Sequence, residues 1–326
     1  MTKKFTLPKR GKLKIGVLFG GKSAEHEVSI MSAQKVVENL DRKKYSVTSI
    51  KIKKDGKFNL EGLKKFDVIF PVFHGPYGED GTVQGLLKFI GIPFVGPSIL
   101  ASAIGLDKDA MKKILKEAKI PIGKFVTIKN GEKINYNDII RQLGLPLFVK
   151  PSNTGSSIGV AKVRNKNEFN KAIKKAFTYD NKVVLEKEIK GREVECAVVG
   201  NDNPVASLPG EIIPKQEFYT YEAKYNDNSG TKYEIPANLP KSIVKKIRKL
   251  AVQTFEALFC EGMGRVDFFL KDSGEVLVNE INTIPGPVMF RRLWEASGVP
   301  FSKLLDILIN LALERFEREA KLKTTV

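Results

Sequence analysis

Gly264-Arg-Val-Asp-Phe-Phe-Leu270, followed by Glu275-Val-Leu-Val-Asn-Glu-Ile-Asn-Thr-Ile-Pro-Gly286, reads as two apolar strands, 263–270 and 275–281, turned back on each other at Asp272-Ser273-Gly274. Side chains alternate faces along a strand, so Glu280 and Asn282, two apart, share one face. If the strands pair through that hairpin, Asp267 lies close to the same face. Three hard oxygen donors then converge where two Mg²⁺ ions, with Mn²⁺ as a substitute, could bridge the phosphates of a nucleotide such as ATP. Arg265, two residues before Asp267, shares its face and offers a fork of donors to phosphate or to a developing oxyanion. Each has a plainer reading. Strand-end carboxylates often face solvent, and an arginine often only pairs with a neighbour.

Upstream, a buried strand at 14–19 closes on Gly20-Gly21 and leads into an amphipathic helix over 27–40. Strands at 47–52, 68–73 and 93–95 and a helix at 83–90 continue the β-α alternation of a Rossmann-like parallel sheet, expected to form a first domain over residues 1–105. Gly20-Gly21-Lys22-Ser23 lacks the GxGxxG spacing of a dinucleotide turn. From Lys108 the pattern becomes α+β: helices at 108–118, 138–143 and 167–177, and strands at 125–128, 145–150, 160–163, 183–187 and 193–199. This second unit is placed at 106–200. The last third, 201–326, opens on a polar stretch, 210–240, too long for an inert connection and suited to an active-site lid. Helices over 242–259 and 302–318 flank the hairpin.

The chain has 326 residues, two cysteines, two histidines and a formal net charge of +18. Its length predicts two or three packed domains. Cys196 and Cys260 stand in apolar contexts with no paired spacing, which predicts buried reduced thiols in a cytoplasmic protein. His26 and His74, without clustered cysteines, argue against a zinc site. The basic amino terminus precedes an apolar run, KIGVLF, too short for a signal core or a membrane span. The lysines are scattered along helix faces as on a solvated surface, and no nucleic-acid-binding motif accompanies them, so neither nucleic acid nor membrane is expected as a partner.

Lys150-Pro-Ser-Asn-Thr-Gly-Ser-Ser-Ile-Gly159 places a lysine, serine hydroxyls and flexible amides between two strands, equipment for gripping a polyphosphate, although it is no Walker A loop and could be an ordinary hairpin turn. Together with AEHEVSI (24–30), HGPYGEDGTVQG (74–85), GREVECAVVG, FYTYEAKY (218–225), GRVDFFL and EINTIPG, it resembles in order the D-alanine:D-alanine ligases, over nearly the whole chain from Lys14 to about Leu313. The resemblance implies an ATP-grasp fold behind the Rossmann-like domain. It implies that ATP phosphorylates the carboxylate of one D-alanine and that the amine of a second displaces phosphate, giving the dipeptide of peptidoglycan. By motif position Glu25 would hold the first ammonium, with Ser156 and Tyr225 completing a hydrogen-bonded set. Lys108, Lys150 and Lys224 would meet nucleotide and phosphates, Glu186, Ile189 and Glu193 the adenine and ribose, and Phe218 and Phe269 would flank the ring. Arg265 and the amide of Gly286 would stabilise the tetrahedral intermediate, and Asp267, Glu280 and Asn282 would hold magnesium. His74 and Asp80 would shape the substrate pocket, His26 is left to a structural hydrogen bond, and the resemblance suggests a homodimer.

The sequence departs from the family after Gly286. Pro287-Val-Met-Phe-Arg-Arg292 is shorter than usual and lacks a serine that helps bind the carboxylate of the second D-alanine, a charge-assisted bond worth roughly 1.5–3 kcal/mol. Arg291 or Arg292 could substitute. Tyr225, where depsipeptide-forming relatives carry histidine, favours an amine acceptor. A ligase with another second substrate stays open as an alternative, as does a non-catalytic relative that binds nucleotide or nucleic acid.

Overall fold

The computed structural model describes residues 11–214 and 231–323. Its first layer is a parallel sheet in the order β2-β1-β3, from β1 (Leu13–Gly20), β2 (Tyr45–Ile52) and β3 (Val68–Val72). Alternation along β1 and β3 sends side chains to both faces. Ile15, Val17, Val68 and Phe70 enter one core with Ala33 and Val36 of α1 (His26–Asn39), whereas Leu18 and Ile69 enter another with Val83 and Leu87 of α2 (Thr82–Phe89). A sheet covered on both faces explains the nearly unbroken apolar run of β1. The strand expected at 93–95 is reduced to one parallel bridge, Ile69 to Phe94.

Two antiparallel sheets follow. One has the order β4-β7-β5-β6, from β4 (Phe125–Lys129), β5 (Leu147–Pro151), β6 (Ala161–Val163) and β7 (Lys182–Lys187). It packs on α5 (Tyr136–Leu143) and α6 (Lys166–Ala176) through Leu147, Val149, Phe169 and Ile173. The other has the order β11-β10-β8-β12-β13, from β8 (Arg192–Gly200), β10 (Gly210–Ile213), β11 (Lys232–Glu234), β12 (Gly262–Leu270) and β13 (Val276–Asn282), with β9 (Val205–Ala206) attached to β8. Its core face rests on α4 (Lys108–Glu117) and α7 (Lys241–Ala257), through Met111, Leu115, Ile247 and Phe255. The mixture of a parallel layer with two antiparallel sheets is the α/β and α+β combination expected from the sequence. Of the polar stretch at 210–240, the two ends are strands β10 and β11, and residues 215–230 lie outside the described residues.

Two helices escaped the sequence reading. In α3 (Ile99–Leu106) the apolar residues run all round, so no 3.6-residue stripe marks it. Ser98, accepting the Ala101 N–H at 3.2 Å, was its available signal. α8 (Pro287–Ala296) starts immediately after Gly286 with proline at its first position, where the missing N–H costs nothing. α8 and α9 (Phe301–Ala320) return to the first sheet and fill the same core as β1 and β3 with Phe290, Trp294, Leu304 and Leu308. No single described helix is long and apolar enough to cross a membrane.

Cys196 and Cys260 are unpaired and buried, and burial pushes the Cys196 thiol up to about 12. His74 follows β3 and is buried, its Nε2 lying 2.9 Å from Ser32 Oγ on α1. Burial drives its pKa down to about 4, with Arg265 adding in the same direction and the Ile284 backbone opposing. The unfolded chain takes up that proton near pH 6.5, so in the interval between those values it binds more protons than the folded chain. The stabilisation is therefore complete above about pH 6.5 and lost as pH falls to about 4, on the order of 3 kcal/mol. His74→Gln is expected to flatten the acid side of the stability profile by that order, measured by urea unfolding between pH 7 and pH 4.5. An unchanged slope would show that His74 does not carry it.

Candidate functional site

The two antiparallel sheets face each other across a cleft of about 500 Å³. Lining it are Lys108, Lys150, Ser156, Glu186, Ile189, Glu193, Phe269, Asp267, Glu280 and Asn282, all chosen from sequence. The central sheet contributes the Lys150–Glu186 pair from neighbouring strands β5 and β7, with Lys150 Nζ 2.9 Å from Glu186 Oε2. Burial works against the Lys150 charge, but Glu186, Glu280 and Glu193 outweigh it and hold its pKa above the usual lysine value. Burial also disfavours the Glu186 carboxylate, and Lys112 and Lys150 overcome that to hold it at about 2.

On the opposite sheet, antiparallel pairing sets Asp267 against Glu280 and Arg265 against Asn282. Asp267 is also opposite Glu195 on β8. Arg265 donates to both Asp267 oxygens, at 2.7 and 2.8 Å, and its Nε is 3.0 Å from Glu195 Oε2. Burial penalises the guanidinium, yet Asp267 and Glu195 hold its pKa well above the usual value. Asn282 Nδ2 donates to Asp267 Oδ2 at 2.9 Å, which leaves its carbonyl oxygen as an acceptor on the cleft side of the sheet.

This face depends on a β-bulge that the sequence reading did not include. From the hairpin, Leu270 pairs with Val276 and Phe268 with Val278, a register that, continued, would set Asn279 against Asp267. Instead the register slips between Asp267 and Phe268, Asn279 is left as the extra residue, and Glu280 takes the place opposite Asp267. A one-residue slip exchanges the faces of all that follows, so it also brings Asn282 onto the cleft face.

The donor set suits a hard cation: two carboxylates and an amide oxygen, all small oxygen ligands. Among the described residues no group of three or more His, Cys, Asp or Glu side chains is arranged to hold a metal by itself. Asp267, Glu280 and Asn282 are the residues here that could hold such an ion.

At the amino-terminal end of the cleft, Glu25 is buried just before α1 and accepts a hydrogen bond on Oε1 from Ser156 Oγ. Ser156 and Ser157 both have positive φ, +48° and +60°, a left-handed conformation that costs a non-glycine residue of order 1–3 kcal/mol. Lys108 Nζ donates to the Thr154 carbonyl at 2.6 Å and so anchors the same loop. Gly75 has φ +69°, and a Cβ there would sit 2.3 Å from Glu25 Oε2.

Asp80 and His74 are placed outside the cleft lining. Asp80 accepts from the Tyr77 and Thr82 N–H groups at 2.8 and 2.9 Å, closing the turn before α2. Its neighbour Glu79, passed over in the sequence, lines the cleft. Glu79 accepts from the Gly75 N–H at 2.7 Å and from the Ile284 N–H at 3.1 Å, joining the loop after β3 to the loop after β13. Burial and the nearby Glu25 charge push its pKa up to about 8. No pattern marked it, because its partners are backbone groups 205 residues away in one case. His26 Nδ1 meets the Gly21 carbonyl at 2.7 Å. Gly286 caps α8 and has open space where a Cβ would stand. Beyond it, Arg291 donates to Glu295 at 2.8 Å and Arg292 lies over the Tyr233 ring at 5.4 Å. Phe218, Lys224 and Tyr225 lie outside the described residues.

The family D-ala D-ala ligase C-terminus matches residues 114–310, and D-ala D-ala ligase N-terminus matches 14–65 and 58–97. The chain is 43% identical to the D-alanine--D-alanine ligase of Shouchella clausii, covering 97% of this chain and 98% of that one, and 46% identical to that of Halothermothrix orenii, covering 93% and 99%. Among solved structures it is similar to the D-alanine-D-alanine ligase from Coxiella burnetii, with TM-score 0.86, 37% identity and coverage of 95% and 96%. The VanG D-Ala:D-Ser ligase from Enterococcus faecalis gives TM-score 0.83 at 36% identity, covering 93% and 100%. The Bacillus anthracis D-alanine--D-alanine ligase complexed with ATP gives 0.82 at 33%, covering 94% and 99%. Matched by both family models and aligned with these relatives over 93–97% of its length, the chain belongs to the D-alanine–D-alanine ligase family.

Proposed function

We infer that this chain joins two D-alanines into D-alanyl-D-alanine for peptidoglycan, converting ATP to ADP and phosphate by way of an acyl phosphate. The observation that carries this reading is the meeting of Lys150 and Glu186 with Asp267, Glu280 and Asn282 across one cleft, with Arg265 bonded to Asp267. It supplies cationic and oxygen-donor groups on both sides of a transferring phosphoryl group.

In this reading Lys108 and Lys150 hold phosphate oxygens, while Glu186, Ile189, Glu193 and Phe269, with Phe218 and Lys224, hold the nucleoside. Asp267, Glu280 and Asn282 would hold Mg²⁺, or Mn²⁺ in its place, two ions in all. Bound there, the metal would neutralise phosphate charge during transfer. Glu25, buried beside Ser156, receives the ammonium of the first D-alanine, with Tyr225 as their third partner. The carboxylate oxygen of that D-alanine attacks the terminal phosphorus and ADP departs. The amine of the second D-alanine then attacks the acyl carbon, loses a proton, and phosphate leaves. Arg265 and the N–H of Gly286 would stabilise the oxyanion formed in that step. His74, through the Ile284 loop, and Asp80, through the turn before α2, would shape the substrate pocket, with Glu79 beside them on the cleft wall. Three units divided near residues 105 and 200, a cytoplasmic location and a homodimer complete the proposal.

The acceptor is the part of the reading on which Pro287–Arg292 bears most. Arg291 is engaged by Glu295, which leaves Arg292, beside Tyr233, as the better placed substitute for the absent serine. A coupled assay decides the reaction. D-alanine-dependent ADP release with formation of the dipeptide is expected, and release that requires D-serine or D-lactate as the second substrate would overturn the D-alanine acceptor. Glu280→Gln is expected to lower kcat/KM by about 100-fold, near 3 kcal/mol, with the thermal midpoint unmoved. Equal turnover at limiting Mg²⁺ would remove Glu280 from the metal. Gly75→Ala, which drives a methyl into the Glu25 carboxylate, is expected to raise KM for the first D-alanine by about ten-fold (1.4 kcal/mol) while leaving KM for ATP in place.

A further inference from the structure

Lys112 lies one helical turn beyond Lys108 on α4, on the same face, and its side chain is 2% exposed. It stands behind the cleft wall and is absent from the lining. Its ammonium has partners on both sheets. Nζ is 3.2 Å from Glu186 Oε1 on β7 and 3.4 Å from the Asn279 carbonyl on β13, with the Phe125 ring centroid 6.0 Å away. Asn279 is the extra residue of the bulge that puts Glu280 opposite Asp267. The same Glu186 receives Lys150 on its other oxygen.

Burying an ammonium costs several kcal/mol, and an apolar side chain of similar volume would avoid that cost, so packing alone does not account for a lysine here. The partners do. We propose that Lys112 is a positioning residue for phosphoryl transfer: it fixes the Asn279 bulge, and with it the aim of Glu280, to the Glu186–Lys150 pair across the cleft. This rests on the assignment of Asp267, Glu280 and Asn282 to Mg²⁺-nucleotide. Glu186 cannot swing toward Lys150 alone while its other oxygen faces a second cation. The bulge carbonyl, directed at that cation, holds the register that selects Glu280 over Asn279.

The test compares wild type, Lys112→Met and Lys112→Arg by calorimetric binding of ADP with and without Mg²⁺, alongside KM for ATP, KM for D-alanine and the Mg²⁺ requirement of turnover. Lys112→Met is expected to lose ten-fold or more of the affinity that Mg²⁺ adds to ADP binding, and to raise the Mg²⁺ requirement and KM for ATP by a similar factor. KM for D-alanine should stay within two-fold, and Lys112→Arg, which keeps the cation, should recover most of the loss. A Lys112→Met protein of lowered thermal midpoint with an unchanged Mg²⁺ increment would overturn the proposal. Should Lys112→Met not fold, Lys112→Gln, which keeps a donor but no charge, takes its place; failure of both to fold would assign Lys112 to folding and overturn the positioning role. Because ADP binding needs no D-alanine, an enzyme that uses another acceptor still answers the question. Wild type whose ADP binding is indifferent to Mg²⁺ would instead sink the metal assignment itself.

Discussion

Side chains on a strand have only two faces to choose from, and in this fold the choice is made by one extra residue. Leu270 through Phe268 pair with Val276 through Val278 in the plain hairpin register, and in that register the acid at 280 would point into the core against α7. The bulge at Asn279 turns the remainder of β13 over. The Ile281 side chain packs into the apolar core, and Glu280 and Asn282 pair opposite Asp267 and Arg265. Burying a carboxylate among Val266, Phe268 and Phe255 would cost several kcal/mol, and exposing Ile281 would forfeit roughly 2 kcal/mol more. The hydrophobic partition of the strand and the chemistry of the cleft thus demand the same slip.

The charges around the cleft follow a second common rule: each buried ion is shared. Glu186 lies between Lys112 and Lys150, and Arg265 between Asp267 and Glu195. In a low-dielectric setting an unshared charge would move its pKa until it neutralised, as the largely self-contained Glu79 carboxyl does by rising to about 8. Sharing holds Lys150, Glu186 and Arg265 in their charged forms, whereas at Lys112 burial outweighs Glu186 and lowers the pKa. Their partners also belong to different elements, α4, β5 and β7 on one side and β8 and β12 on the other, so the electrostatics that keep the groups ionised also restrict how those elements shift. Such fixed charges require little reorganisation when phosphate charge arrives.

What the sequence revealed follows from the range of the interactions involved. β1 and β3, buried on both faces, and the hairpin of β12 and β13 are local patterns of hydrophobicity and turn residues, and they were legible. Lys150, Asp267, Glu280 and Asn282 carry chemistry in short strings and were legible for that reason. Glu79, Glu195 and Lys112 were not, since each takes its meaning from partners distant in sequence, such as Ile284 for Glu79 and Asn279 for Lys112. The bulge was equally hidden, because a hairpin drawn from alternation alone has no place for an unpaired residue. Helix α3 lacked periodicity, and of the adjacent acids Glu79 and Asp80 only the backbone path shows which one lines the cleft.

The carboxyl-terminal helices fix the path of the loop after β13 as far as Gly286. α8 and α9 bury Phe290, Leu293, Trp294 and Leu308 in the core of the first parallel sheet, so the chain between β13 and α8 is anchored at both ends to different layers. Two contacts fix it in between. Glu79 receives the Ile284 N–H, and Gly105 of α3 lets Thr283 approach so closely that a Cβ would stand 2.5 Å from its methyl group. Shortening the segment after Gly286 does not loosen this arrangement, because Pro287 begins the helix at once and no slack remains to be taken up. The loop from Thr283 to Gly286 is thereby held between the parallel layer and the hairpin sheet, while Arg292 on the exposed face of α8 meets Tyr233.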